Sequence, residues 1–181
     1  MKYGESSYRR FLDGDPDAFD EIWKEHRLHL TFFIDRYVKD PAVAEDIAID
    51  VFTYVLVHPR RYNFKTALKT YLFMLGRSRA LDYLRRRKRI EFVDLSEAHG
   101  SEDSCQLEDA VLGEERKIAV SAALAQLTPP MREAVHLVYF EQLSYEEAAR
   151  VMKKDKKQID NLLYRAKGQL REILGKEPEL L

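Results

Sequence analysis

The residues best able to bind a polyanion are concentrated near the C-terminus. Between Arg150 and Arg171 the sequence has eight basic residues and only two acidic ones, Asp155 and Asp160. Lysine and arginine bind phosphates, whereas amide and guanidinium groups can hydrogen-bond to base edges. The residues that would share the polar face of a helix here are Lys156, Lys157, Gln158, Asp160, Asn161, Tyr164 and Arg165. This face suggests duplex DNA binding, and the alternative is a solvated basic helix.

The same region has the pattern of a helix-turn-helix. Ser144 with Glu147 forms one capping box, and Asp155 with Gln158 forms a similar one. The first predicts a short helix that ends near Met152, and the second predicts a longer helix that ends at Gly175. Because helix-turn-helix geometry also occurs in proteins that bind no DNA, the pattern alone leaves both interpretations open.

A second basic cluster lies at the end of a predicted helix in the N-terminal half. Arg77 and Arg79 precede five consecutive cations at positions 85–89, and Asp82 is the only acidic residue among them. A C-terminal helix dipole favours some positive charge, but five cations exceed that need. A track for phosphates is the better explanation, and its residues include Arg77, Arg85 and Arg86.

A short loop between two predicted helices mixes cations, aromatic rings and an amide. It comprises Arg60, Arg61, Tyr62, Asn63, Phe64 and Lys65. Such residues suit unstacked single-stranded bases. A plain loop whose Tyr62 and Phe64 pack inward explains the same residues equally well.

The helix before that loop has an acidic and apolar face: Glu45, Asp46, Asp50, Phe52 and Tyr54. On its own, this face is typical of an ordinary amphipathic helix.

Candidates for catalysis or metal binding are weak. His26 and His29 are three residues apart, but no carboxylate or cysteine cluster completes a site, and His26 falls on the apolar stripe with Trp23. The single cysteine, Cys105, has only His99 near it in sequence. We therefore expect no catalytic residues, no metal, no cofactor and no small-molecule substrate.

The elements that position these clusters all have helical periodicity. Three helices are expected before residue 90, opening at Asp15-Pro16, at Pro41 and after the loop that ends at Lys65. The segment from Glu91 to Glu115 has nine acidic residues and no lysine or arginine. We predict an all-α protein with two small helical domains, residues 1–90 and 111–181, joined by an acidic flexible linker over residues 91–110.

Composition and hydropathy indicate the cellular compartment of the protein. Hydrophobic residues make up 45% of the 181 residues, enough for globular cores, and one cysteine cannot form an intrachain disulfide. No apolar run approaches the roughly 20 residues of a membrane helix, and the N-terminus does not have the pattern of a signal peptide. These features predict a cytoplasmic protein without direct membrane insertion.

Four segments in this order resemble one family, the extracytoplasmic-function (ECF) sigma factors of the sigma-70 family. FLDGDPDAFDEIW resembles the start of sigma region 2, DPAVAEDIAIDVF its polymerase-binding helix, and TYLFMLGRSRALDYLRRRKR the helix that handles the −10 element. LTPPMREAVHLVYFEQLSYEEAARVM with KKDKKQIDNLLYRAKGQLREIL resembles region 4, which recognises the −35 element. The resemblance covers about residues 11–174 and assigns region 2 to residues 1–90 and region 4 to residues 111–181.

The resemblance implies partners and roles. It implies contact of Asp46, Asp50 and Phe52 with bacterial core RNA polymerase, and capture of a flipped −10 base by the loop of residues 60–65. It places Lys157 and its neighbours in the −35 major groove, and it implies an anti-sigma factor as a further partner. The alternatives are a helix-turn-helix regulator acting without polymerase and a protein-interaction module that titrates an anti-sigma factor.

Overall fold

The computed structural model describes residues 4–93 and 114–175, and within them every regular element is helical. The chain divides into two compact units, Met1–Ser101 (unit 1) and Glu102–Leu181 (unit 2). The all-α prediction is confirmed. The predicted acidic linker over residues 91–110 falls largely outside the described residues.

The described residues of unit 1, 4–93, form four helices rather than the three predicted. They are α1 (Glu5–Leu12), α2 (Asp17–Val38), α3 (Pro41–Val57) and α4 (Leu68–Val93), with a 3-10 turn at Pro59–Arg61. Helix α1 was not predicted because its stretch is rich in charge. Its apolar residues Tyr8, Phe11 and Leu12 nevertheless have helical spacing, and Tyr8 is completely buried.

The core of unit 1 lies where α2 packs against both α3 and α4. Its largest buried side chains are Ile22, Leu30, Phe33, Ile34, Phe52, Leu68, Leu72 and Phe73, together with Tyr8 from α1. Gly76 lets α4 approach α2 closely, because a Cβ at this position would lie 2.8 Å from Leu30 Cδ1 and 3.3 Å from Ile34. The helix contact therefore depends on the missing side chain.

Unit 2 contains α5 (Glu114–Gln126), α6 (Pro129–Val135), α7 (Tyr145–Met152) and α8 (Lys156–Leu174). Helix α6 continues as a π-helical segment, His136–Phe140, in which the Glu141 amide donates to the His136 carbonyl at 3.0 Å. This π-helical segment was not predicted. Helix α8 packs against α5, α6 and α7, so its buried face closes the core of the unit.

Within the described part of the chain, no helix combines the length and the apolar character needed to cross a membrane.

Candidate nucleic-acid interfaces

The helix-turn-helix of unit 2 is built from two capping boxes, as predicted. Asp155 Oδ1 accepts a hydrogen bond from the Gln158 amide at 2.7 Å, and Gln158 Oε1 accepts from the Asp155 amide at 3.0 Å. Ser144 and Glu147 form the equivalent pair at the start of α7. Because each box satisfies backbone donors at a helix start, both helices begin at fixed residues.

The two faces of α8 differ in chemistry. Ile159, Leu163, Ala166 and Leu170 are buried. The opposite face is exposed and carries five of the predicted DNA-binding residues: Lys157, Asp160, Asn161, Tyr164 and Arg165. The exposed fraction of Tyr164 is 80%, which is unusual for an aromatic side chain without a partner molecule. The structure therefore brings these five residues together on one surface.

The other two predicted residues of this helix also make internal contacts. Lys156 Nζ lies 2.6 Å from Glu146 Oε1 of α7, and this hydrogen bond raises the pKa of Lys156 and lowers the pKa of Glu146. The side-chain oxygen of Gln158 accepts the hydrogen bond from the Asp155 amide that completes the capping box. Both residues help to fix the start of α8, so each side chain already makes one hydrogen bond within the protein.

The turn between α7 and α8 presents two further cations. Lys153 is exposed and ends α7 in a left-handed conformation with φ 54°, and Lys154 donates its amide to the Ala149 carbonyl at 2.9 Å. This backbone geometry closes the turn.

The basic residues of α4 fall into two groups. Arg77 and Arg79 are half-buried, and the Arg79 guanidinium carbon lies 4.9 Å from the Tyr54 ring centroid. Residues 85–89 are exposed. Arg85 pairs with Asp82 at 2.5 Å, so one of the five consecutive cations is partly neutralised.

The loop after α3 decides between the two interpretations of its aromatic residues. Tyr62 is only 3% exposed, its Oη donates to the Thr66 carbonyl at 2.7 Å, and burial raises its pKa. Its assignment as a direct DNA contact is therefore corrected: its ring packs in the core of unit 1. Asn63, Arg60, Arg61 and Lys65 are exposed, and Asn63 Oδ1 accepts from the Lys65 amide at 3.1 Å.

The predicted polymerase-binding face of α3 also needs one correction. Asp46 and Asp50 are exposed, together with Ile49, whose exposed fraction is 42%. Phe52 is 2% exposed, and its ring centroid lies 4.8 Å from that of Trp23. A direct contact from Phe52 is incompatible with this packing, because the ring belongs to the inner face of the helix.

His26 is 3% exposed and packs in unit 1, as expected for a core histidine. Among the described residues, no group of three or more histidine, cysteine, aspartate or glutamate side chains is arranged to hold a metal ion. Cys105 and His99 lie outside those residues.

The fold and these surfaces define a two-unit helical protein with a helix-turn-helix in its second unit. The family model for sigma-70 region 2 matches residues 22–90, and the model for sigma-70, region 4 matches residues 117–170. The RNA polymerase sigma factor CarQ of Myxococcus xanthus is 30% identical over 166 residues, which are 92% of this chain and 94% of CarQ. The chain belongs to the sigma-70 family of RNA polymerase sigma factors, in the ECF class.

Other relatives agree. The ECF RNA polymerase sigma factor SigM of Bacillus subtilis is 26% identical over 159 residues, covering 88% of this chain and 96% of SigM. Among solved structures, the sigma factor RpoE in complex with the anti-sigma factor NepR from Bartonella quintana has a TM-score of 0.70 at 22% identity. That match covers 88% of this chain and 98% of RpoE. The structure of CnrH in complex with the cytosolic domain of CnrY has a TM-score of 0.63 at 19% identity, covering 93% and 94%.

Proposed function

We propose that this chain binds core RNA polymerase in the cytoplasm and directs it to promoters, with unit 2 recognising the −35 element and unit 1 the −10 element. The observation that carries the proposal is the exposed polar face of α8, within the segment that matches sigma-70 region 4. The chain supplies sequence specificity and catalyses no reaction itself.

The −35 contacts are assigned by chemistry. Asn161 suits the two hydrogen-bonding groups of an adenine edge, Arg165 suits guanine, and Asp160 can accept from the amine of cytosine. Lys157 and the turn residue Lys153 neutralise phosphates. Their exposure on one side of the helix-turn-helix supports simultaneous contact with one stretch of major groove.

The −10 contacts are assigned to the loop after α3 and to α4. Asn63 is the exposed amide for hydrogen bonding to an unstacked base, and Arg60, Arg61 and Lys65 surround it. Arg77, Arg85 and Arg86 continue the positive surface along α4. Tyr62 packs beneath the loop in the core of unit 1 and does not touch DNA.

Core polymerase is assigned to the exposed face of α3. Asp46 and Asp50 provide the negative charges, and Ile49 lies between them in sequence as an exposed apolar residue. Phe52 holds this face against α2. An anti-sigma factor is proposed as a further partner, on the analogy of RpoE, whose solved structure contains one.

Run-off transcription with bacterial core polymerase tests the proposal. Adding the protein should produce transcripts from promoters that core polymerase alone does not use, and Asn161→Ala should reduce them. A helix-turn-helix regulator acting alone would bind duplex DNA without producing such transcripts, and an interaction module that titrates an anti-sigma factor would do neither.

The melting step has its own test. Asn63→Ala should leave closed complexes nearly intact and impair open complexes on linear duplex templates. On templates with a pre-melted bubble the loss should be smaller. Equal losses on both templates would contradict the assignment of the loop to strand capture.

A further inference from the structure

Helix α1 ends before residue 22, where the first segment that matches a sigma-70 model begins. It is held on the bundle at both of its ends. At its start Gly4 has φ 88°, and a Cβ there would lie 3.0 Å from His26 Nε2. At its end Arg10 Nη1 donates to Glu21 Oε1 at 2.9 Å and Arg10 Nε donates to Asp15 Oδ2 at 2.9 Å. These contacts fix how α1 lies on the bundle.

The middle of α1 contacts the loop assigned to the −10 strand. Tyr8 is completely buried, and its Oη donates to the Pro59 carbonyl at 2.8 Å, where the loop begins. The Tyr8 ring also meets Tyr62 edge-on, with centroids 4.9 Å apart, and Phe64 at 5.9 Å. One side chain of α1 therefore contacts both the residue just before the loop and the aromatic residues within it.

The next residue holds the tip of the loop. The Arg9 guanidinium carbon lies 4.5 Å from the Phe64 ring centroid, and Arg9 itself is exposed. Phe64 has φ 59°, a left-handed backbone that a bulky residue adopts only when its surroundings impose it. Tyr62, at 4.7 Å, completes the packing around the Phe64 ring. Arg9 and Tyr8 therefore help to keep this unfavourable backbone in place.

We infer that Tyr8 and Arg9 are positioning residues for −10 recognition: they hold the loop of residues 60–65 in one conformation before DNA arrives. The inference rests on the proposed assignment of this loop to the −10 strand. A loop that is already ordered loses less conformational freedom on binding, so its exposed Asn63 and Lys65 bind a single strand more tightly. Neither residue needs to touch DNA for this effect.

The loop itself supplies a test that requires no DNA. Arg60, Arg61 and Lys65 are trypsin sites, and ordered backbone resists cleavage. In the full-length free protein, Tyr8→Phe and Arg9→Ala should speed cleavage at these sites several-fold. Lys24→Ala, which removes one exposed cation from α2, is the matched control and should not. Unchanged cleavage in both α1 variants would overturn the inference.

The second test uses holoenzyme made with the full chain. Its probe is a fluorescent single-stranded oligonucleotide with the −10 sequence that wild-type holoenzyme selects from a random pool. Tyr8→Phe keeps the ring and removes one hydrogen bond, so binding should weaken by about five-fold, the factor expected of one neutral hydrogen bond. Arg9→Ala should weaken it by about two- to five-fold, as expected for an exposed cation–ring contact.

The salt dependence separates positioning from direct contact. If Arg9 only positions the loop, the slope of log affinity against log salt concentration should be the same for Arg9→Ala and wild type. A slope smaller by about 0.7 would identify a phosphate contact and overturn the inference. The core-polymerase affinity of Arg9→Ala should stay at the wild-type value, because a general loss of structure in unit 1 would lower it in parallel with DNA binding.

The two ideas fail in different ways. If wild-type holoenzyme selects and binds no −10 oligonucleotide, the loop's proposed function is wrong. If wild type binds and the two α1 variants bind equally well, the loop assignment stands and the positioning role is wrong.

Discussion

Tyr8 is a side chain whose ionisation opposes folding. Burial, with a smaller contribution from Tyr71, raises its pKa to about 12 from the ordinary value of 10.0. The folded state thus favours the neutral phenol. Stability from Tyr8 is fully present below pH 10 and is lost as the pH rises from 10 to 12, by at most about 3 kcal/mol.

Denaturant unfolding of wild type and Tyr8→Phe at pH 8 and pH 11.5 tests this prediction. The free energy of unfolding should fall more in wild type, because phenylalanine has no proton to lose. Every other ionisable side chain is common to the two proteins, so its own contribution cancels in the difference. Identical losses would mean that Tyr8 ionises in the folded state as easily as in the unfolded one.

The α8 surface predicts two kinds of DNA-binding defect. Asn161→Ala and Arg165→Ala should each cost about 1–3 kcal/mol on the preferred −35 element and relax the preference at one base pair. Lys153→Ala should weaken all −35 sequences alike and reduce the salt slope by about one unit. All three residues are exposed, so none of these changes should disturb the fold.

A promoter-library selection with each variant at two salt concentrations measures both effects. If base preferences survive Asn161→Ala and Arg165→Ala unchanged, α8 is not the helix that recognises the −35 bases.

At the scale of single residues, the sequence indicates which side chains have the right chemistry for binding, but it predicts their burial less well. The exposed residues of α8 follow from its 3.6-residue period, and the structure places them where that period requires. Tyr62 could not be placed in the same way, because it lies in a loop without periodicity, and only its packing against Tyr8 shows that it is internal. Phe52 does follow the helical period of the six buried residues of α3, and its packing against Trp23 agrees with that period. Its assignment to the polymerase-binding face went against this period.

Among the helices, α3 offers a direct test of polymerase binding. Asp46→Lys with Asp50→Lys should abolish binding to core polymerase while the helix content of the protein stays the same, because both carboxylates are exposed. Asp20→Lys with Glu25→Lys changes two exposed acidic residues of α2 by the same charge and is the matched control.

Fluorescence titration of core polymerase and circular dichroism provide the two measurements. Retained core affinity with retained helicity would show that another surface binds polymerase.

Helix boundaries were predictable where a local side chain determines them. Asp40 accepts from the amides of Ala42 and Val43 at 3.0 and 3.2 Å, so α3 begins where Pro41 predicts. Gly175, with φ 77°, follows the last residue of α8. Helix α1 and the π-helical segment were missed for different reasons. Helix α1 is stabilised by contacts with α2 and the loop, which no local pattern contains. The π-helical segment is bonded locally, from the Glu141 amide to the His136 carbonyl five residues earlier, and its apolar residues do not distinguish this bond from that of an α-helix.

For the molecule as a whole, each unit has a buried core of its own. Ile22, Leu30 and Phe73 pack in unit 1, whereas Leu127, Met131 and Leu163 pack in unit 2. Fragments 1–101 and 102–181 should therefore each fold alone, and each should melt near the temperature of the matching transition in the full chain. Calorimetry of the two fragments and of the full chain makes the comparison. A fragment without helical structure would show that its unit depends on the other.

Gly76 and Gly168 both lie in helices but have opposite surroundings, so replacing both by alanine should change the heat stability of the two units in opposite directions. At Gly168 of α8 a Cβ would meet nothing within 4 Å, so Gly168→Ala should stabilise unit 2 by up to about 1 kcal/mol. At Gly76 the same methyl group would press on Leu30, and overpacking of roughly 1–3 kcal/mol exceeds the gain in helix propensity. In a protein that carries both substitutions, unit 1 would unfold at a lower temperature than unit 2. The pair would form a temperature-sensitive allele in which the proposed polymerase-binding surface unfolds while the helix-turn-helix persists.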